Sequence, residues 1–225
     1  MTTKKSKKST ATATHLDPIY RLWAWILLAW SLYRYFFKLP EWADEFIAKP
    51  LVFVAPVLWF VWKKEKRSLE SLGITSKRLF TGLYIGLGFG LVFALEGIAA
   101  NAIKYGGLRV NPIVAFRQYG FFLILLSLAT AFSEELLSRG FIFNRIYEKT
   151  KNLPYASFVS TILFVLLHVP ILVTALKFQG ITLILFFATD FVLGLANSLL
   201  FYNTGSLVAP ILVHIFWNMT VALYL

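Results

Sequence analysis

Long apolar runs alternate with short polar stretches along the chain. The apolar runs cover residues 20–37, 46–62, 79–103, 117–147, 155–177, 181–203 and 207–225. A helix needs about 20 apolar residues to cross the hydrocarbon of a bilayer. The pattern therefore predicts an all-α fold, a polytopic transmembrane bundle of about seven helices. The second run holds Pro50 and Pro56, which predicts a bent or partly re-entrant segment, because proline removes a backbone donor from a helix. The third carries Gly82, Gly86 and Gly90 at i, i+4 and i+8, a small-residue face suited to close helix packing. The fourth is apolar first and then charged. A polar stretch, KKEKRSLESLGITSKR, fills 63–78, and residues 1–15 form a basic, Ser- and Thr-rich tail without an acid before Asp17. The expected organisation is a disordered cytoplasmic tail at 1–15, membrane helices with a basic loop at 16–116, and a second membrane unit at 117–225. No internal repeat of the transporter kind is evident.

Composition agrees with the pattern. The 225 residues are 58% hydrophobic and 15% charged, whereas soluble domains hold about 45–50% apolar and about 25% charged residues. Such a chain cannot clothe itself in polar surface in water. The net charge of +11 would suggest nucleic acid in a soluble protein; here it belongs to basic loops facing anionic headgroups, and no nucleic-acid partner is expected. With the N-terminus inside, thirteen Lys and Arg fall in inside segments and six, Lys49 among them, in outside loops. This asymmetry predicts a cytoplasmic N-terminus. Cysteine is absent, which excludes disulfides, thiolate metal sites and a cysteine nucleophile.

Ionisable groups within a bilayer cost at least ~2.5–3.5 kcal/mol each on insertion scales, so each asks for a reason. Here they are Glu96, Glu134, Glu135, Arg139, His168, Asp190 and His214, joined by the amide of Asn218. In SEELLSR, Glu135 and Arg139 stand at i, i+4, the spacing of an acid–Arg pair. Glu134 lies about 100° around the helix and projects elsewhere. In HIFWN, His214 and Asn218 share one face. His168 ends an apolar helix one turn after Phe164. Each set has a plain packing explanation, since a lone histidine is more often a satisfied core residue than a catalyst. Three polar sets on three helices are harder to explain by packing.

The inventory suits amide hydrolysis by water. Glu134 and His168 would polarise a water as general base. His214 and Asn218 would stabilise the tetrahedral oxyanion. Glu135 and Arg139 would hold their helix in register. A serine mechanism lacks its elbow motif, an aspartyl dyad lacks its second Asp, and H-E-x-x-H is absent. No cofactor is expected, although a zinc ion on Glu134, His168 and His214 is chemically permissible. Other readings are a catalytically inactive immunity or scaffold protein that keeps the motifs for packing, and a transporter relaying protons through Glu96 and Asp190.

These residues resemble the CPBP family of intramembrane proteases, whose patterns EExxxR, FxxxH and HxxxN match Glu134-Glu135 with Arg139, Phe164 with His168, and His214 with Asn218. The stretch GLANSLLFYNTGSLVAPILVHIFWN at 194–218 is similar to the family's last two helices, and SLESLGI at 68–74 to a segment that often precedes the domain. The resemblance covers about 117–225. It implies a membrane-embedded glutamic-type endopeptidase of the CAAX-processing kind. By the same resemblance, Glu134 and His168 activate water, and His214 with Asn218 forms the oxyanion hole. The implied partners are the bilayer and a peptide or protein substrate that enters from the membrane, lipidated clients among them.

Overall fold

A computed structural model describes residues 11–108 and 120–224. Residues 1–10 of the expected tail at 1–15 and the expected start of the fourth span at 117–119 lie outside the described residues, whereas residues 11–15 begin the first helix and do not continue a disordered tail. Among the described residues seven long helices follow one another: α1 (Ala11–Phe36), α2 (Glu41–Glu65), α3 (Leu79–Tyr105), α4 (residues 122–150), α5 (Leu153–Leu176), α6 (Gly180–Thr204) and α7 (Val208–Tyr224). Among the described residues no strand occurs. Helices α2, α3, α5 and α6 are long and apolar enough to cross a membrane, and Val208–Val221 of α7 is a shorter apolar helix. Large apolar side chains such as Trp25, Tyr84, Ile103 and Phe121 stand exposed on the outside. Water would not support such a surface, but lipid does.

The second run is a continuous helix of 25 residues, not a re-entrant one. Its prolines are absorbed by stretches of i→i+5 hydrogen bonding at Asp44–Ala48, Pro50–Val54 and Phe60–Glu65. Such wide turns re-aim side chains and recur at functional sites. They also correct the placing of Lys49 in an outside loop. Its N–H bonds to the Asp44 carbonyl inside α2, and its side chain is buried.

The glycine face of α3 packs on α7 as its spacing predicts. A Cβ at Gly86 would stand 2.9 Å from Leu212 Cβ, and one at Gly90 2.2 Å from Phe216. Helix α7 in turn touches α4 and α6, and α6 lies along α5. One core, built on Trp30, Phe53, Val57, Leu136, Phe141 and Phe143, joins α1, α2 and α4; a second, built on Phe93, Leu193, Val213 and Trp217, joins α3, α6 and α7.

The segment between α2 and α3 ties down one end of the bundle. Arg145 donates from Nη1 to the Ser71 carbonyl at 2.9 Å and pairs with Glu65, while Asn144 Nδ2 donates to the same carbonyl at 2.8 Å. Gly73 turns at φ +78°, where a side chain would be strained, and its carbonyl accepts the Leu207 N–H at 3.0 Å. This polar layer lies eleven residues below Glu134 on α4, about 16 Å along the axis.

Candidate active site

Adjacent positions on one helix cannot share a face, so α4 sends Glu134 and Glu135 in different directions. Both are buried. From Leu136 to Phe143 the helix widens to i→i+5 bonding, and Arg139 lies inside that stretch. Arg139 still reaches back to donate from Nη1 to Glu135 Oε1 at 3.1 Å, as the i, i+4 spacing predicts. Its guanidinium lies 4.4 Å from the centroid of the Phe164 ring, a cation–π contact in a desolvated setting. The fit is close on the α6 side. A Cβ at Gly194 would stand 3.1 Å from Arg139 Nη2 and 2.6 Å from Thr161 Cγ2.

Glu135 Oε1 collects three donors from three helices: Arg139 from α4, Asn197 Nδ2 at 2.9 Å from α6, and His214 Nδ1 at 2.7 Å from α7. A carboxylate only accepts, so Nδ1 of His214 carries the proton and Nε2 points onward. That nitrogen lies 3.6 Å from Glu134 Oε2. His168 approaches the same oxygen from α5, with Nε2 at 3.7 Å. Its Nδ1 donates to the Phe164 carbonyl at 3.2 Å and lies 3.7 Å from Asp190 Oδ2 on α6. The Phe164 ring meets both imidazoles edge-on, with centroids 4.9 and 5.9 Å away. Both ring nitrogens stand beyond hydrogen-bond range of Glu134 Oε2.

The other Glu134 oxygen is occupied. Lys49 Nζ donates to Oε1 at 2.8 Å and pairs at 2.8 Å with Glu45 Oε2, one turn back on α2. Glu45 accepts from Thr130 Oγ1 at 2.5 Å. The structure thus brings Glu134, His168 and His214 together, with Glu135, Arg139 and Phe164 behind them. Asn218 lies one turn beyond His214, half-buried, and has no side-chain hydrogen-bond partner among the described residues.

Sequence reasoning missed Lys49, Glu45, Thr130 and Asn197. Glu45 and Lys49 stand at i, i+4 inside an apolar run, which was the available signal. Asn197 sits in GLANSLL, where a buried amide needs a partner. Of the two carboxylates read as a relay, Asp190 is buried beside His168, whereas Glu96 lies on the exposed face of α3.

Among the described residues no group of three or more His, Asp or Glu side chains is arranged to hold a metal ion. The Lys49 ammonium also sits on Glu134 Oε1, so a dication on that carboxylate would meet a fixed positive charge.

No curated protein and no solved structure matches the chain. Residues 116–220 match the family model of Rce1-like type II CAAX prenyl endopeptidases, a stretch that holds both glutamates, both site histidines and the three motifs. Over these residues, just under half of the chain, the protein is similar to the Rce1-like CAAX prenyl endopeptidases, and its long apolar helices are those of an integral membrane protein.

Proposed function

We propose that the protein hydrolyses a peptide bond with a water activated by Glu134 and His168, without a metal. The observation that carries this reading is the setting of Glu134. One oxygen is held by Lys49, while the other faces two imidazole Nε2 atoms at 3.6 and 3.7 Å. A water between them passes a proton to the Glu134–His168 pair and attacks the carbonyl carbon. The C–O bond forms as the carbonyl π pair moves to oxygen. His214 Nε2 and the Asn218 amide donate to that oxyanion. The tetrahedral intermediate then collapses, the C–N bond breaks, and the proton goes to the leaving amine.

Donation from His214 Nε2 needs the imidazolium form, because Nδ1–H already serves Glu135.

The substrate enters from the membrane, and a C-terminal CAAX peptide with a lipidated cysteine is the natural first candidate. The N-terminus faces the cytoplasm. Supporting this, the basic residues of 63–78 and the end of α4 gather at one end of the bundle, as the Arg145–Ser71 and Arg67–Glu148 bonds require. The test is loss of cleavage in Glu134→Gln, His168→Ala and His214→Ala proteins that remain folded and inserted. Full activity in Glu134→Gln would overturn the reading.

A further inference from the structure

We propose that Lys49 is a positioning residue for the reaction: its ammonium fixes the charge and the aim of Glu134. This rests on the hydrolytic reading of Glu134.

Lys49 is among the few buried lysines a membrane helix would tolerate, because it is fully paired. It lies between two carboxylates, 2.8 Å from each. Its side chain comes from α2, outside residues 116–220 and outside the three motifs. The wide turn at Asp44–Ala48 carries its backbone, with the Lys49 N–H on the Asp44 carbonyl. At the far end, Thr130 Oγ1 on α4 donates to Glu45 Oε2 at 2.5 Å. Thr130 and Glu134 are one turn apart on α4, and Glu45 and Lys49 one turn apart on α2. The four side chains form a chain of three links between the two helices: Thr130 to Glu45, Glu45 to Lys49, Lys49 to Glu134.

Two consequences follow for Glu134. With Oε1 engaged, rotation about the carboxylate is arrested and Oε2 is left to face the imidazoles. The adjacent cation also favours the ionised form, which is the form able to take a proton. Glu134 is faced by Lys49 and Glu45 from α2, His168 from α5, Asp190 from α6 and His214 from α7, with Glu135 and Arg139 on its own helix. Lys49 is the only one of these to hydrogen-bond it among the described residues. An opposite charge at this range moves a carboxyl group's titration by about one to three pH units. Loss of Lys49 therefore raises the pH at which Glu134 protonates. Glu45 competes for the same ammonium, so neutralising Glu45 has the opposite sign.

The test uses the full chain in lipid nanodiscs and reads the infrared C=O stretch of protonated carboxyl groups against pH. Each variant is compared with its counterpart carrying Glu134→Gln, which isolates the Glu134 band. In Lys49→Met the Glu134 band grows in at a pH higher by about one unit or more. In Glu45→Gln it grows in lower, and in Lys49→Arg it stays near the wild type. On a farnesylated, quenched CAAX peptide, the acid limb of kcat/KM follows the same shifts, and kcat at neutral pH falls about tenfold in Lys49→Met with KM little changed. If Lys49→Met fails to fold, Glu45→Gln and Lys49→Arg carry the test. A band and an acid limb that stay fixed in Lys49→Met and Glu45→Gln would overturn the proposal. So would equal loss of kcat in Lys49→Met and Lys49→Arg with an unmoved pH profile. Activity surviving in Glu134→Gln would overturn the hydrolytic reading, while the infrared band reports the Lys49–Glu134 coupling separately.

Discussion

Nδ1 of His214 lies 2.7 Å from Oε1 of Glu135, so the second glutamate of the pair, and not the first, fixes the tautomer of the last helix's imidazole. An acid behind a histidine holds the ring's orientation and supports positive charge on it. Glu135→Gln keeps the shape and removes the charge. In the proposed mechanism kcat falls by about a hundredfold or more, with KM nearly unchanged. Steady-state kinetics on the farnesylated peptide measure this, and a KM effect alone would point to a substrate-binding role instead.

Arg139 carries the opposite charge on the same oxygen, fully buried with Glu135. Removing one partner of a buried pair strands the other and costs about 3–5 kcal/mol. Arg139→Met should therefore lower the thermal midpoint of the protein in detergent more than Glu135→Gln does. Arg139→Lys should recover only part of the loss, because a compact ammonium gives up the flat contact with Phe164. Differential scanning fluorimetry orders the three.

Gly194 has a different physical role. A Cβ there would meet Thr161 Cγ2 at 2.6 Å and Arg139 Nη2 at 3.1 Å, so Gly194→Ala pushes on the guanidinium from α6. The expected cost is about 1–3 kcal/mol of overpacking, with a fall in kcat as Glu135 and His214 shift. Gly194→Ala should thus lose activity at temperatures where it remains folded, which circular dichroism and kinetics on one sample would establish.

Asp190 separates hydrolysis from proton transport. It lies 3.7 Å from His168 Nδ1 but touches no reacting atom in the proposed mechanism. Asp190→Asn should lower kcat several-fold and leave proton flux into proteoliposomes at background, as in the wild type. Flux in the wild type that Asp190→Asn abolishes would revive the transport reading.

Much of the bundle and the motif helices was legible before any coordinates. Apolar run lengths located the helices, and the glycines of α3 announced a close helix contact without naming its partner, because both signals are local. EExxxR, FxxxH and HxxxN gave one face each on three helices. What periodicity could not supply was the pairing between distant helices. Lys49 read as a cation of an outside loop, yet i→i+5 turns carry the helix through Pro50 and bury the lysine against Glu134, 85 positions away in sequence. Asn197 was silent for a similar reason: its partner Glu135 is 62 positions away. Asp190 stood out as an unpaired charge in an apolar helix, and its neighbour His168 became visible only in three dimensions.

The central claim is that Glu134 is the base of a membrane-embedded hydrolase. Its most direct test compares the membrane peptides of cells carrying the wild type with those of cells carrying Glu134→Gln at equal levels of folded protein. Quantitative mass spectrometry of peptide C-termini should show a discrete set of cleaved ends that are present with the wild type and absent with Glu134→Gln. Identical sets of ends in the two cell lines would contradict it.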